Sequence, residues 1–380
     1  MTIYLDNAAT SYPKPPLVYQ RMIESLQLSG ANPGRSAHRM ARAAQQIIED
    51  TRLKLAKLIK AQSLEQIIFT FNATDALNIA IKGVLSTGDH AISTTLEHNS
   101  VLRPLQNLAQ KDILLSLVGF DSQGFVSPQE IEKQIRPETK LIAVTAASNV
   151  LGTLQPIAEI GDIAKRHNLL FLVDAAQALG VIAIDVQQMQ IDLLAASGHK
   201  SLLGPPGTGL FYLSNRAKVK SWREGGTGGD SLSPLQPVEL PFQLEAGTHN
   251  LAGIAGLGAA LDFLAQESIE KIRCHELSLL EYLLNSIQEI DEVKIYGSND
   301  LTRRVGVLSF AVASYRSDEV AAILDQHFDI AVRGGLHCAP LVHKTLGTSP
   351  DGLVRVSIGA FNTLEEIKLF ITAIKEIVVG

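Results

Sequence analysis

Two short stretches of this 380-residue chain hold side chains that could do covalent chemistry together. In Phe171-Leu172-Val173-Asp174-Ala175-Ala176-Gln177 an apolar run breaks into an acid, and in Ala195-Ala196-Ser197-Gly198-His199-Lys200-Ser201 a second short run delivers a lysine. A lysine in a turn is most often only a solvated charge. Here Ser197 and His199 flank Lys200 with groups able to bind phosphate, the turn Gly204-Pro205-Pro206-Gly207 follows, and Asp174 ends its run about one βα unit earlier. An amine and a carboxylate at neighbouring strand ends suit pyridoxal phosphate: the amine forms the Schiff base and the carboxylate holds the pyridine nitrogen protonated.

The elements that must position these groups are legible in the hydrophobic pattern. Both runs are short and continuously apolar, as in strands buried on both faces of a parallel sheet. The same alternation recurs elsewhere. A strand at 66–71 is followed by Asn72-Ala73-Thr74-Asp75, which caps a helix at 76–85. A strand at 90–95 ends in Leu96-Glu97-His98-Asn99-Ser100, and one at 140–145 leads to Ser148-Asn149-Val150-Leu151-Gly152-Thr153 and a helix at 157–165. These units predict an α/β fold with a mostly parallel sheet and ligands outside the carboxyl ends of its strands. Thr74, His98, Asn149, Asp174, Gln177 and Lys200 all fall at that rim. Helices are expected at 17–28 and 37–61 and a further strand at 207–213. Helices at 251–265 and 269–287, with segments at 305–312, 319–324 and 364–377, predict a smaller α+β unit. The expected division is a large domain of residues 1–250 and a small domain of 251–380, with the first residues packing on the small one.

A second constellation lies near the end. Ile330-Ala331-Val332-Arg333-Gly334-Gly335-Leu336-His337-Cys338-Ala339-Pro340 passes from a strand into a glycine turn with a thiol after it. The reactive thiolate needs a lowered pKa or a nearby base, and Arg333 and His337 are the local candidates. Arg355, in Leu353-Val354-Arg355-Val356-Ser357, sits on a strand where a guanidinium can grip a carboxylate through two parallel hydrogen bonds. His337, Cys338 and His343 lack a fourth ligand at zinc spacing, so no metal is expected.

From Tyr4-Leu5-Asp6-Asn7-Ala8-Ala9-Thr10 to Arg355 the chain resembles the class V aminotransferase family, most closely its cysteine desulfurase and selenocysteine lyase group. The resemblance implies the type I fold of the pyridoxal-phosphate-dependent transferases. It implies that Thr74 binds the cofactor phosphate, that His98 stacks on the ring and shares in proton transfer, and that Gln177 bonds the phenolic oxygen. Asn149 is implied beside that oxygen or the substrate, with Arg333 also toward the substrate and Arg355 at its α-carboxylate. The segment Asp6–Thr10 is implied beside the active site, and Arg35 and His38 near the substrate. Thr248, in Phe242-Gln243-Leu244-Glu245-Ala246-Gly247-Thr248-His249-Asn250, matches the threonine that reaches the phosphate of the other subunit's cofactor, which implies a homodimer. The stretch around Cys338 is similar to the Arg-x-Gly-His-His-Cys-Ala context of the group II cysteine desulfurases, with Leu336 in place of the first histidine. The implied reaction converts L-cysteine to L-alanine, leaves a persulfide on Cys338 and supplies a sulfur-acceptor protein. A lyase acting on selenocysteine, cysteine or cystine is the alternative, and a cofactor-bound regulatory or scaffold protein without turnover is a third reading.

Composition narrows the classes. A formal net charge of -6 with scattered basic residues leaves no footprint for nucleic acid. No apolar run approaches the roughly 18 to 20 residues of a membrane span. The start Met1-Thr2-Ile3-Tyr4-Leu5-Asp6 lacks a basic leader region, so a cytoplasmic protein is expected. Cys274 and Cys338 cannot make a disulfide framework for a chain of this size and read as free thiols. Glu224-Gly225-Gly226-Thr227-Gly228-Gly229-Asp230 lacks the Gly-Lys-Ser/Thr ending of a nucleotide loop and reads as an active-site flap.

Overall fold

A computed structural model describes residues 2–34, 36–228 and 232–379. Arg35, and Gly229 and Asp230 of the expected flap, lie outside the described residues. The chain opens with a short strand β1 (Ile3–Tyr4) and two helices, α1 (Pro16–Ser29) and α2 (Arg39–Ile59). Strand and helix then alternate through β2 (Ile67–Thr70), α3 (Ala73–Val84), β3 (His90–Thr94), α4 (Asn99–Ala109), β4 (Leu114–Val118), α5 (Pro128–Lys133), β5 (Thr139–Thr145), α6 (Ile157–Arg166) and β6 (Leu170–Asp174). Strands β7 (Leu193–Ser197) and β8 (Gly209–Leu213) complete one seven-stranded sheet of order β2-β8-β7-β6-β5-β3-β4.

All of these strands run parallel except β8, which is antiparallel to both β7 and β2. The reversal follows from connection length: residues 198–208 are too few for a parallel crossover, so β8 returns directly beside β7. Lys200 sits in that return. Every residue of β6 and β7 is buried, because apolar helices cover both faces of the sheet. One core includes Ile48 and Leu55 of α2, Ile160 of α6 and Val173; the other includes Leu77 of α3, Leu105 of α4 and Leu172.

Helices α7 (Leu251–Glu267) and α8 (Ile269–Ile287) lead to β9 (Val293–Tyr296), β10 (Val307–Val312), α9 (Ser317–Phe328), β11 (Ile330–Ala331), β12 (Arg333–Gly335), α10 (Pro340–Leu346), β13 (Leu353–Ser357) and α11 (Leu364–Val379). Four of these strands form an antiparallel sheet of order β12-β13-β10-β9. Its own core joins Leu283, Phe310, Val356 and Phe370, and it takes in Ile3 and Leu5, because β1 pairs with β11. Ile254, Leu257 and Leu261 of α7, by contrast, pack in the core of the large sheet. The pattern did not mark α4, β4 or α5. Helix α4 has its apolar residues at helical spacing, but it begins on polar residues and carries Pro104, which reads as a break, and β4 is an edge strand with Leu114 exposed.

Candidate active site

Lys200 follows a turn that tolerates no side chain at Gly198, where a Cβ would lie 2.1 Å from the Thr208 hydroxyl oxygen. The turn is closed by Gly198 N–H on the Thr208 carbonyl (2.9 Å) and Gly204 N–H on the Gly198 carbonyl (2.8 Å). It is clamped from outside by the N-terminal segment. Ser11 N–H and the Lys14 ammonium donate to the His199 carbonyl at 3.0 and 2.7 Å, and the Ser11 hydroxyl donates to the Lys200 carbonyl at 2.9 Å. Ser11 and Lys14 were not singled out from the sequence; their only signal was the proline-rich turn around them. Burial pushes the Lys200 amine down to about 8, against the opposing pull of the Asp174 carboxylate. The charges of Arg355, Arg333 and Cys338 also reach that amine, so residues from both sheets converge on it.

Asp174 ends β6 opposite Ala195 of β7 and is buried. Its Oδ1 accepts the Ala176 N–H at 3.0 Å. Burial raises its pKa, while that N–H and Lys200 pull it down. Such a carboxylate is short of donors and suits one further N–H partner.

His98 is the N-cap of α4, its Nδ1 accepting the Ser100 N–H at 3.1 Å. An Nδ1 that accepts leaves the ring proton on Nε2. Burial, followed by the charges of Lys200, Arg333, Arg355 and Arg103, pushes His98 down to about 4, so it is neutral at neutral pH. The Ser100 hydroxyl lies 2.9 Å from His98 Nδ1 and 2.7 Å from the Thr74 hydroxyl. Thr74 stands in the first turn of α3, which Asn72 caps by accepting the Asp75 N–H at 2.9 Å; the Ser197 hydroxyl accepts the Ala73 N–H at 3.3 Å. Three hydroxyls thus surround a helix start, where free N–H groups and a partial positive charge favour an anion. His199 keeps its backbone in the clamp, and its ring is pushed down to about 4 by burial, then by Lys200 and Lys14.

The remaining expected residues divide into those with their bonds already made and those facing out. Gln177 donates to the Ala8 carbonyl at 2.9 Å, and Asn149 donates to the His337 carbonyl at 2.7 Å. Arg355 is 1% exposed, donating from Nη2 to Asp6 at 2.7 Å and from Nη1 to the Asn149 carbonyl at 3.1 Å, with Nε buried and unpartnered. One outer nitrogen is thus engaged by Asp6 and the other by the Asn149 carbonyl, pairings the sequence pattern did not foretell. Thr248 is exposed. Its loop is held by the buried Arg52–Glu245 pair, at 2.8 and 2.9 Å, and by His249 on Glu245 at 3.2 Å. The described part of the glycine-rich segment is tied to the same loop, Gly226 accepting the Gly247 N–H at 2.9 Å. His38 is exposed and caps α2 by accepting the Ala41 N–H at 3.2 Å.

Cys338 is half-buried, its sulfur 3.5 Å from Arg333 Nη2. Of the two candidate activators, Arg333 therefore faces the thiol and His337 does not. The His337 ring is buried, donating from Nε2 to the Leu353 carbonyl at 2.9 Å, and burial with the Arg355 charge pushes it down to about 2. Arg333 and Arg355 are paired in register across β12 and β13, so two guanidiniums border the thiol side of the site. Among the described residues no three His, Cys, Asp or Glu side chains group so as to hold a metal ion, and no helix is long and apolar enough to cross a membrane.

A lysine and an acid at adjacent strand ends of a sheet wound this way match a known class. The sequence pattern of "Aminotransferase class-V" spans residues 3–370, and the chain belongs to that family. Within it, the probable cysteine desulfurase of Borreliella burgdorferi is 36% identical over 99% of this chain and 92% of its own length. The cysteine desulfurase of Serratia proteamaculans is 34% identical over 98% and 93%. The apo structure of the cysteine desulfurase from Thermococcus onnurineus superposes with a TM-score of 0.94 at 36% identity, covering 100% of this chain and 95% of that one. The cysteine desulfurase CsdA (S-sulfonic acid) from Escherichia coli gives 0.89 at 28% identity, covering 99% and 94%.

Proposed function

We propose that the protein is a cysteine desulfurase that holds pyridoxal phosphate and converts L-cysteine to L-alanine, leaving the sulfur as a persulfide on Cys338. The observation that carries this reading is that Asp174 and Lys200 follow from the ends of adjacent buried strands while Arg333, 3.5 Å from the Cys338 sulfur, pairs in register with Arg355. The donor set fits the cofactor: a buried carboxylate short of donors for the pyridine N–H, a flat neutral imidazole for the ring face, and a helix start ringed by Thr74, Ser100 and Ser197 for the phosphate. Gln177 and Asn149 would stand at the ring's polar edge. Bound there, the cofactor supplies the electron sink that stabilises negative charge at the substrate Cα.

The chain's own residues do the rest. Lys200 would hold the covalent link at rest and, once the substrate amine has displaced it, its freed amine, pushed down to about 8, would take the Cα proton. Arg355 binds the substrate α-carboxylate through the edge that Asp6 leaves free, and Asn149 orients the same group. Arg333 favours the thiolate of Cys338. The thiolate attacks the substrate sulfur: an S–S bond forms, the Cβ–S bond breaks with its electron pair passing to the substrate carbon framework, and protons delivered to Cβ and returned from Lys200 to Cα complete alanine. Sulfur then leaves Cys338 for a thiol of an acceptor protein. The exposed Thr248 loop, held rigid by Arg52 and Glu245, serves the phosphate site of a second copy, which makes the working unit a homodimer. The division between domains falls between α7 and α8, on the packing of α7 against the large core.

Purified protein given L-cysteine and a reductant should release alanine and sulfide in equal amounts. Pyruvate and ammonia in place of alanine would mean β-elimination and would overturn the persulfide route.

A further inference from the structure

Glu97 stands one residue before His98, and its side chain is wholly buried. Oε1 accepts the Thr94 hydroxyl at 2.6 Å and the Thr145 N–H at 3.1 Å, while Oε2 is buried without a partner. Among the described residues no lysine, arginine or histidine bonds this carboxyl; the charge that reaches it is that of Asp174, of the same sign. Asp174 lies opposite Thr145 in the β5–β6 register, so both acids flank Thr145, whose N–H bonds Glu97 and whose hydroxyl donates to the Asp174 backbone carbonyl at 3.4 Å. An ionised carboxylate here would keep a bare oxygen in a dry site beside a second acid, which is the arrangement that neutralises a buried group. Burial, opposed by its two hydrogen bonds, pushes Glu97 up to about 8.

We propose that Glu97 is held as a neutral carboxylic acid and is a positioning residue for the cofactor: it ties the ends of β3 and β5 behind Asp174 and leaves Asp174 the lone anion under the ring. The inference rests on the cofactor reading above. A second negative charge beside Asp174 would favour the protonated form of that acid and weaken its hold on a pyridine N–H; a neutral neighbour avoids this. Burial raises the pKa of both carboxyls, and what distinguishes them is the Lys200 charge, which reaches Asp174 and favours its ionised form, while among the described residues no cation reaches Glu97.

The test uses infrared spectra of the purified protein, with and without bound cofactor, for wild type and Glu97→Gln. The difference spectrum isolates Glu97 from Glu276, another buried acid that burial pushes up to about 8. A protonated-carboxyl carbonyl stretch at neutral pH, sensitive to deuterium exchange and lost in Glu97→Gln, is expected; a wild type minus Gln spectrum without it overturns the proposal. Glu97→Gln should move the pH midpoint of the cofactor's visible absorption by less than about half a unit, because it replaces a neutral group by a neutral group. A shift of about half a unit or more means that a charge was removed and overturns the neutral assignment. Glu97→Ala strands the Thr145 N–H and should weaken cofactor binding about tenfold, with Gln restoring it to within about twofold. A Gln variant as weak as Ala overturns the positioning role, and the infrared result decides the protonation state if the Ala variant does not fold. Protein that takes up no cofactor at all would refute the cofactor reading, while the spectra without cofactor would still report on Glu97.

Discussion

Asp174 and Lys200 issue from strands in which every residue is buried, whereas Cys338 rides a turn whose two successive residues, His337 and Cys338, have φ of 49° and 59° and whose thiol is half-exposed. At the strand rim, burial sets protonation: Lys200 goes down to about 8, His98 down to about 4, and Asp174 up. At the turn, geometry does more than burial. Left-handed backbone at two non-glycine residues costs on the order of 1 kcal/mol or more each. It persists because the large unit holds both carbonyls: Asn149 donates to that of His337 and the Asn99 N–H to that of Cys338, each at 2.7 Å. The comparison teaches that cofactor chemistry needs a rigid, dry frame, while a sulfur that must reach a substrate and then an acceptor protein needs an accessible turn pinned from behind.

The sharpest way to break this contrast is at the rim. Lys200→Ala should abolish turnover and the yellow chromophore that borohydride fixes to the protein, because the neighbouring Lys14 ammonium is tied to the His199 carbonyl and the Ser11 hydroxyl, each at 2.7 Å. Cofactor still fixed by borohydride in that variant would show that another lysine makes the link. Next comes the turn: Cys338→Ser should keep the cofactor's absorption and its response to L-cysteine while alanine and protein persulfide fall to background. Alanine production that survived in Cys338→Ser would erase the division of labour. The smallest effect is expected where the two regions meet. Arg355→Ala should raise the L-cysteine requirement about ten- to a hundredfold with the cofactor spectrum intact, the loss of a charge-assisted grip. It also strands Asp6, so the double variant with Asp6→Asn should recover thermal stability without recovering substrate affinity. An unchanged apparent affinity in Arg355→Ala would remove the substrate role and leave Arg355 a clamp between the two units.

Much of the frame was legible from local pattern. Continuous apolar runs marked β5, β6 and β7 as buried parallel strands, and chemistry-bearing residues just past their ends marked the rim, because strand direction and side-chain period are local properties. Asn72 announced the start of α3 through its capping chemistry. The chain by itself thus determined the architecture, the acid and lysine at adjacent strand ends, and the position of a thiol after a glycine turn. Tertiary structure alone decided which partners those groups meet. Arg355 is paired with Asp6, 349 residues away, and the Lys200 turn is clamped by Lys14 and Ser11. His337 turns to the Leu353 carbonyl and leaves the thiol to Arg333, and α7 joins the large core although its sequence reads equally well as the start of the small unit. The protonation states of Glu97, His98 and Lys200 belong to this second group. They depend on how completely water is excluded and on charges brought together from distant parts of the chain, and neither quantity is written in the neighbouring residues.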